Sequence, residues 1–75
     1  MKSLISFIAK SLVDDPTEVV VHERVTNGTV RFELTVAEED MGRVIGRRGK
    51  VANAMRALLR VAAARQGTRA TLDII

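Results

Sequence analysis

Residues 46 to 50 read Gly-Arg-Arg-Gly-Lys, with two adjacent guanidinium groups between glycines and an ammonium beside them. Arginine presents a planar fork of donors that matches phosphate oxygens, and glycine removes the Cβ atoms that keep a ligand away from the backbone. A long alanine-rich apolar segment follows at once, so the loop opens a helix whose N-terminal end also favours an anion. The combination suits a phosphate held by charge and backbone together. A plain helix-to-helix turn with two solvated arginines accounts for the same five residues, because short motifs of this kind recur by chance.

Known phosphate loops narrow the chemistry. The pattern GxxxxGK[ST] needs glycine where Val44 stands and a hydroxyl residue where Val51 stands. The dinucleotide pattern GxGxxG also needs glycine at Val44, and it follows a strand rather than a short helix. Neither a nucleoside triphosphate nor a dinucleotide is therefore expected, and a nucleic-acid backbone phosphate remains the natural ligand.

Catalytic constellations are missing. Cysteine is absent and His22 is the only histidine, so there is no thiolate chemistry, no disulfide and no cysteine or histidine cluster for a metal. Glu38, Glu39 and Asp40 are consecutive and point in different directions around a helix, where their place in the first turn is explained by the helix dipole. We expect no enzyme, no metal and no cofactor. With no tyrosine, no tryptophan and two phenylalanines, Phe7 and Phe32, the chain also lacks the aromatic surfaces on which many nucleic-acid readers stack bases.

The elements that must position the loop can be read from periodicity. Seventy-five residues suffice for one small core and leave no room for separate substrate and cofactor lobes. At the start, Leu4, Ile5, Ile8 and Leu12 fall at helical spacing and the pattern stops before Pro16. Ser6, Lys10, Asp14 and Asp15 interrupt any signal-like or membrane-spanning run, so a cytoplasmic protein without membrane insertion is expected. Val19, Val21 and Val25 alternate on one face of a strand, with Val20, His22 and Arg24 on the other. Asn27-Gly28 then marks a tight hairpin turn. Val30, Phe32, Leu34 and Val36 alternate as the inward face of a second strand.

A short helix beginning at Glu38 carries Met41, Val44 and Ile45 on its apolar edge and ends at Gly46; a longer one is expected from about Lys50 to Arg65. Ala70, Leu72 and Ile74 form the inner face of a last strand. The expected fold is α+β, in the order helix-strand-strand-helix-helix-strand, with one small three-stranded sheet covered by helices. Charge is distributed unevenly over it: residues 1–40 carry net −4 and residues 41–75 net +7. A basic face turned toward a polyanion explains this, as does a solvated basic helix.

Within this order, the segment GRVIGRRGKVANAMRALL, Gly42 to Leu59, resembles the KH signature, in which an isoleucine precedes GxxG between two helices. The whole chain is similar to prokaryotic type II KH domains: an α-β extension over residues 1–27, then a β-α-α-β core over residues 28–75 with GxxG at 46–49. The resemblance implies that Gly46, Arg47, Arg48 and Gly49 contact the backbone of single-stranded RNA, or of single-stranded DNA, with little sequence specificity. Lys50 and Arg43 would extend the field. Val44, Ile45 and Val51 would floor the groove beneath the bases, though each is equally suited to the core. An RNA chaperone or post-transcriptional regulator is the role it implies.

The long helix carries three faces. Asn53, Arg56 and Arg60 form a polar stripe continuous with the loop, suited to a nucleic-acid track or to solvent. Val51, Met55, Leu59 and Ala62 suit the sheet. Ala54, Leu58 and Val61 extend the apolar arc further, either under the N-terminal helix or as a dimer interface. The resemblance favours the dimer, with a second copy of the chain or with a larger KH-containing protein of the Jag type. A protein-interaction or scaffolding module acting through this helix is the alternative function.

Overall fold

The structure, a computed structural model, describes residues 1–75. Helix α1 (Lys2–Leu12) leads through a short turn at Pro16–Glu18 to strands β1 (Val20–Thr26) and β2 (Thr29–Thr35). A single turn at Glu38–Asp40 opens onto α2 (Met41–Ile45), a tight turn at Arg47–Gly49 joins it to α3 (Lys50–Arg65), and β3 (Arg69–Ile74) closes the chain. The strand order in the sheet is β1-β2-β3, with β1 antiparallel and β3 parallel to the central β2. Element order and fold class are those expected.

Strand β2 forms the axis of the core because its alternation is complete: Val30, Phe32 and Leu34 are buried, and Val36 just beyond the strand continues the pattern. Phe32 pairs with Glu23 on one side and Leu72 on the other, and it is the largest fully buried side chain. Ile5, Ala9, Val21, Val44, Met55, Leu59 and Leu72 close around this row. The hairpin turns at Asn27 and Gly28, whose φ values of 49° and 78° are the positive angles that a two-residue connection between twisted strands requires.

Three expected faces shift. Val25 is 68% exposed rather than buried, because it lies next to the hairpin turn on an edge strand where no helix covers the sheet. In α1 the buried residues are Ile5 and Ala9, with Ile8 and Leu4 half-buried and Leu12 exposed. A small alanine at the contact lets the helix approach closely, which a pattern built from large apolar residues does not register. In α3 the core-facing row is Ala52, Met55, Leu59 and Ala63; Val51 and Ala62, expected on the sheet-facing row with Met55 and Leu59, lie at its margin, half-buried.

Asp40 departs most from expectation. Glu38 and Glu39 are exposed at the turn, but Asp40 is only 2% exposed. Its two carboxylate oxygens accept hydrogen bonds from the backbone N–H groups of Asp14 and Asp15, each at 3.1 Å. Arg43 lies one turn further on, with Nε 3.3 Å from Asp40 Oδ1. The carboxylate thus pins the exit of α1 to the entrance of α2 by accepting from two N–H groups of the chain just past α1, and the helix dipole is not its main partner. Removing the carboxylate leaves two part-buried N–H donors without their acceptor at once. Asp40→Ala is expected to lower unfolding free energy by about 2–4 kcal/mol, measured as a fall in the urea midpoint at unchanged m-value.

Candidate nucleic-acid interface

The basic loop is shaped by backbone geometry before charge enters. Gly46 ends α2 at φ 77° and ψ 169°, a region open essentially to glycine alone. A Cβ placed there would stand 2.5 Å from Val51 Cγ2 and 2.8 Å from Val51 N, so this glycine also permits the first turn of α3 to pack against the end of α2. Arg48 adopts left-handed geometry at φ 57° and ψ 27°, and Gly49 follows at φ 74° and ψ 14°. Gly49 N–H donates to Gly46 O at 3.1 Å, which closes the turn. The chain therefore loops outward with Arg47 and Arg48 at its tip, both exposed.

No side chain caps α3 at Gly49. Neither Arg47, Arg48 nor Lys50 forms a salt bridge, so three cations stand free at the N-terminal end of a 16-residue helix. Asn53 continues this surface: its Nδ2 is 3.7 Å from where a Gly49 Cβ would be, and its Oδ1 accepts from Arg56 at 3.1 Å. Arg56 also donates from Nε to the carbonyl of Leu72 at 3.2 Å, so that it bridges α3 to the free edge of β3. Nearby Arg60 is exposed and unpaired.

Other candidate residues fall differently. Val44 is fully buried and belongs to the core, which corrects its candidacy for the groove floor: a side chain with no exposed surface supports the loop from beneath and touches no ligand. Ile45 is 38% exposed at the end of α2, and Val51 is half-buried behind Gly46. Arg43 is not free to extend the field, because it reaches Asp14 Oδ2 at 3.0 Å as well as Asp40. On the far side of α3, Leu58 is 49% and Val61 58% exposed, and Ala54 is open as well. The N-terminal helix does not cover them, so the broad internal core drops out as an explanation of that stripe.

A basic hollow at the other end of α3 was not foreseen. Arg60, Ala63 and Ala64 of the helix meet Thr68, Arg69, Ala70 and Thr71 at the start of β3. Arg69 sits on a strand with no local signal of a site, and only the reversal of the chain after α3 brings it opposite Arg60.

The two glycines of the α2 segment separate geometry from composition. Gly46→Ala is expected to cost about 3 kcal/mol or more through forbidden backbone and overlap with Val51. Gly42→Ala, where an added Cβ meets nothing within 4 Å, is expected to gain about 0.5–1 kcal/mol by restricting the unfolded chain. Urea unfolding of both variants measures the contrast.

Comparison with known proteins agrees with this architecture. Residues 2–74 match the family model described as KhpA/KhpB, KH domain. A protein of Clostridium acetobutylicum named RNA-binding protein KhpA is 47% identical over 75 residues, covering 100% of both chains. Proteins of the same name from Halalkalibacterium halodurans and Chlamydia trachomatis are 44% and 40% identical, covering 100% of this chain and 99% and 96% of theirs. No solved structure gives a significant match. A family model spanning nearly the whole chain, joined to full-length relatives and the helix-loop-helix built on Gly46, decides the matter: the chain belongs to the KhpA/KhpB KH-domain family.

Proposed function

We propose that this chain is a cytoplasmic RNA-binding protein that holds single-stranded RNA at the Gly46–Gly49 loop with little sequence specificity, in the manner of an RNA chaperone or post-transcriptional regulator. The observation that carries this function is the outward loop of Gly46, Arg47, Arg48 and Gly49, whose arginines have no acidic partner. The relatives' name, RNA-binding protein KhpA, supports RNA as the polyanion. In this scheme Arg47 and Arg48 hold backbone phosphates, Lys50 adds charge, and Asn53 with half-open Val51 and Ile45 meets the adjoining sugars and bases. Phosphate contacts position a strand without reading it, and single-stranded DNA satisfies the same loop.

Protein association is a second role, favoured by the exposed stripe of Ala54, Leu58 and Val61. Small residues beside two larger apolar ones let another helix approach closely, and a domain with 14 buried residues gains core by pairing. A homodimer is the proposed state, and a larger KH-containing protein of the Jag type is the alternative partner. At 100° per residue the stripe lies about 130° around α3 from the Asn53, Arg56 and Arg60 flank. A partner on one face therefore leaves the other open to RNA.

Two experiments test these roles. Arg47→Asp/Arg48→Asp is expected to abolish binding of single-stranded RNA while circular dichroism stays unchanged, and the wild-type affinity is expected to fall with salt at a log–log slope of about −0.7 per neutralised phosphate. Undiminished RNA binding by that variant rejects the loop. Leu58→Glu is expected to sediment as a monomer; a wild-type chain that is already monomeric rejects the homodimer.

A further inference from the structure

We propose that Asp40 is a positioning residue for RNA binding, which through α2 holds the Gly46–Gly49 loop in its outward orientation. This role rests on the RNA-binding function proposed above and gives that loop a distant support. Asp40 is the one charged residue buried in the domain, at 2% exposed, and it lies outside the basic surface that meets RNA. Burying a carboxylate is costly unless its oxygens are bonded, so its partners must be held in place.

The bonds form a closed ring. Asp40 Oδ1 accepts from Asp14 N–H at 3.1 Å, Asp14 Oδ2 accepts from Arg43 Nη2 at 3.0 Å, and Arg43 Nε returns to Asp40 Oδ1 at 3.3 Å. Asp15 N–H donates to the other oxygen, Oδ2, at 3.1 Å. Asp40 N–H donates in turn to Ala37 O at 2.8 Å, just past the end of β2. The chain leaving α1, the chain leaving β2 and the chain entering α2 are thereby tied at one residue.

Helix α2 needs such an anchor because it is five residues long, whereas isolated helices shorter than about 12–15 residues are marginal in water. Its direction is imposed from outside at three points: Asp40 at the start, buried Val44 one turn on, and the close approach of Gly46 to Val51 at the end. The last two fix where α2 stops, and the ring at Asp40 fixes the line along which it arrives. Released at its start, α2 pivots on Val44 and carries the loop with it. Arg47 and Arg48 are exposed and without partners, so nothing else returns them to one place.

The charge of Asp40 makes the test sharp, because removing an acid near a polyanion site by itself tightens binding. Positioning predicts the reverse. Asp40→Asn, close to the same size, is expected to bind a single-stranded oligouridylate about ten-fold more weakly than the wild-type chain, as when one further residue of backbone must be ordered at the moment of binding. Asp14→Ala opens the ring from its exposed side, leaves the buried carboxylate in place, and is expected to weaken binding about three-fold. Glu39→Gln removes the same charge from an exposed position without an ion pair and is expected to bind no more weakly than the wild type. All are compared at a temperature where urea unfolding curves show each variant folded. Amide order parameters at Gly46 and Gly49 are expected to leave the rigid value of about 0.85 in Asp40→Asn, while those of β2 keep it.

A folded Asp40→Asn that binds as tightly as the wild type, or that weakens with the loop order parameters unchanged, overturns the positioning role. So does an equal loss in Glu39→Gln, and if Asp40→Asn does not fold, undiminished binding by Asp14→Ala does the same. Retention of the oligouridylate by Arg47→Asp/Arg48→Asp rejects instead the function on which the role rests.

Discussion

The contact between the backbone of Gly46 and the first turn of α3 governs the working part of this molecule. With Val51 N only 2.8 Å from the place a Cβ would occupy, no other residue lets α2 end and α3 begin in this arrangement. Because the two helices meet so closely, the intervening residues cannot fold inward. They are expelled as a tight turn whose tip consists of Arg47 and Arg48, one of them in left-handed geometry. Arginine gives this tip its charge, but the steric demand behind it gives the tip its direction. The backbone of the loop is thus set by packing, while the exposed arginine side chains at its tip keep their rotamer freedom.

Electrostatics follows from where the acids are placed. Arg24 pairs with Glu33, Arg31 with Asp73, and Arg43 with Asp14 and Asp40. The pairs exposed on both sides, Arg31–Asp73 and Arg43–Asp14, contribute only about 0–1 kcal/mol each to stability. Their larger consequence is to neutralise the outer sheet and the α1–α2 junction. The arginines without an acidic partner, Arg47, Arg48, Arg56, Arg60 and Arg69, lie on the loop or along the α3–β3 flank, with only Arg65 elsewhere at the end of α3. A modest net charge of +3 thereby becomes a directional one.

Helix α3 presents three faces at once. Ala52, Met55, Leu59 and Ala63 meet the sheet, the Arg56 flank meets the edge of β3, and Ala54, Leu58 and Val61 remain uncovered. Alanine at two of the four core positions lets the helix pack closely on β3 and α2. The sheet does not reach the wider apolar arc, and α1 is engaged with β1 and α2 instead. A small domain that spends its longest helix in this way keeps an uncovered apolar stripe and a basic flank about 130° apart on one rod.

Much of this was legible in the amino-acid order, because the signals concerned are local. The alternation of Val30, Phe32 and Leu34, the Asn27-Gly28 turn and the limits of α3 depend on a few neighbouring residues, and the basic loop declares itself through glycines around arginines. The role of Asp40 is not legible locally because its partners, the N–H groups of Asp14 and Asp15, are 26 and 25 positions away. Arg43 lost its freedom for the same reason, and Val44 moved from groove to core because burial is set by the sheet above it. Arg69 joined Arg60 only when β3 folded back along α3. The sequence by itself determined the order of elements and the chemistry of the loop, since propensity, turn geometry and charge act over a few residues. Tertiary structure alone decided which charges are cancelled and which stay free, because an ion pair forms wherever folding brings two groups within a few ångströms, whatever their separation along the chain.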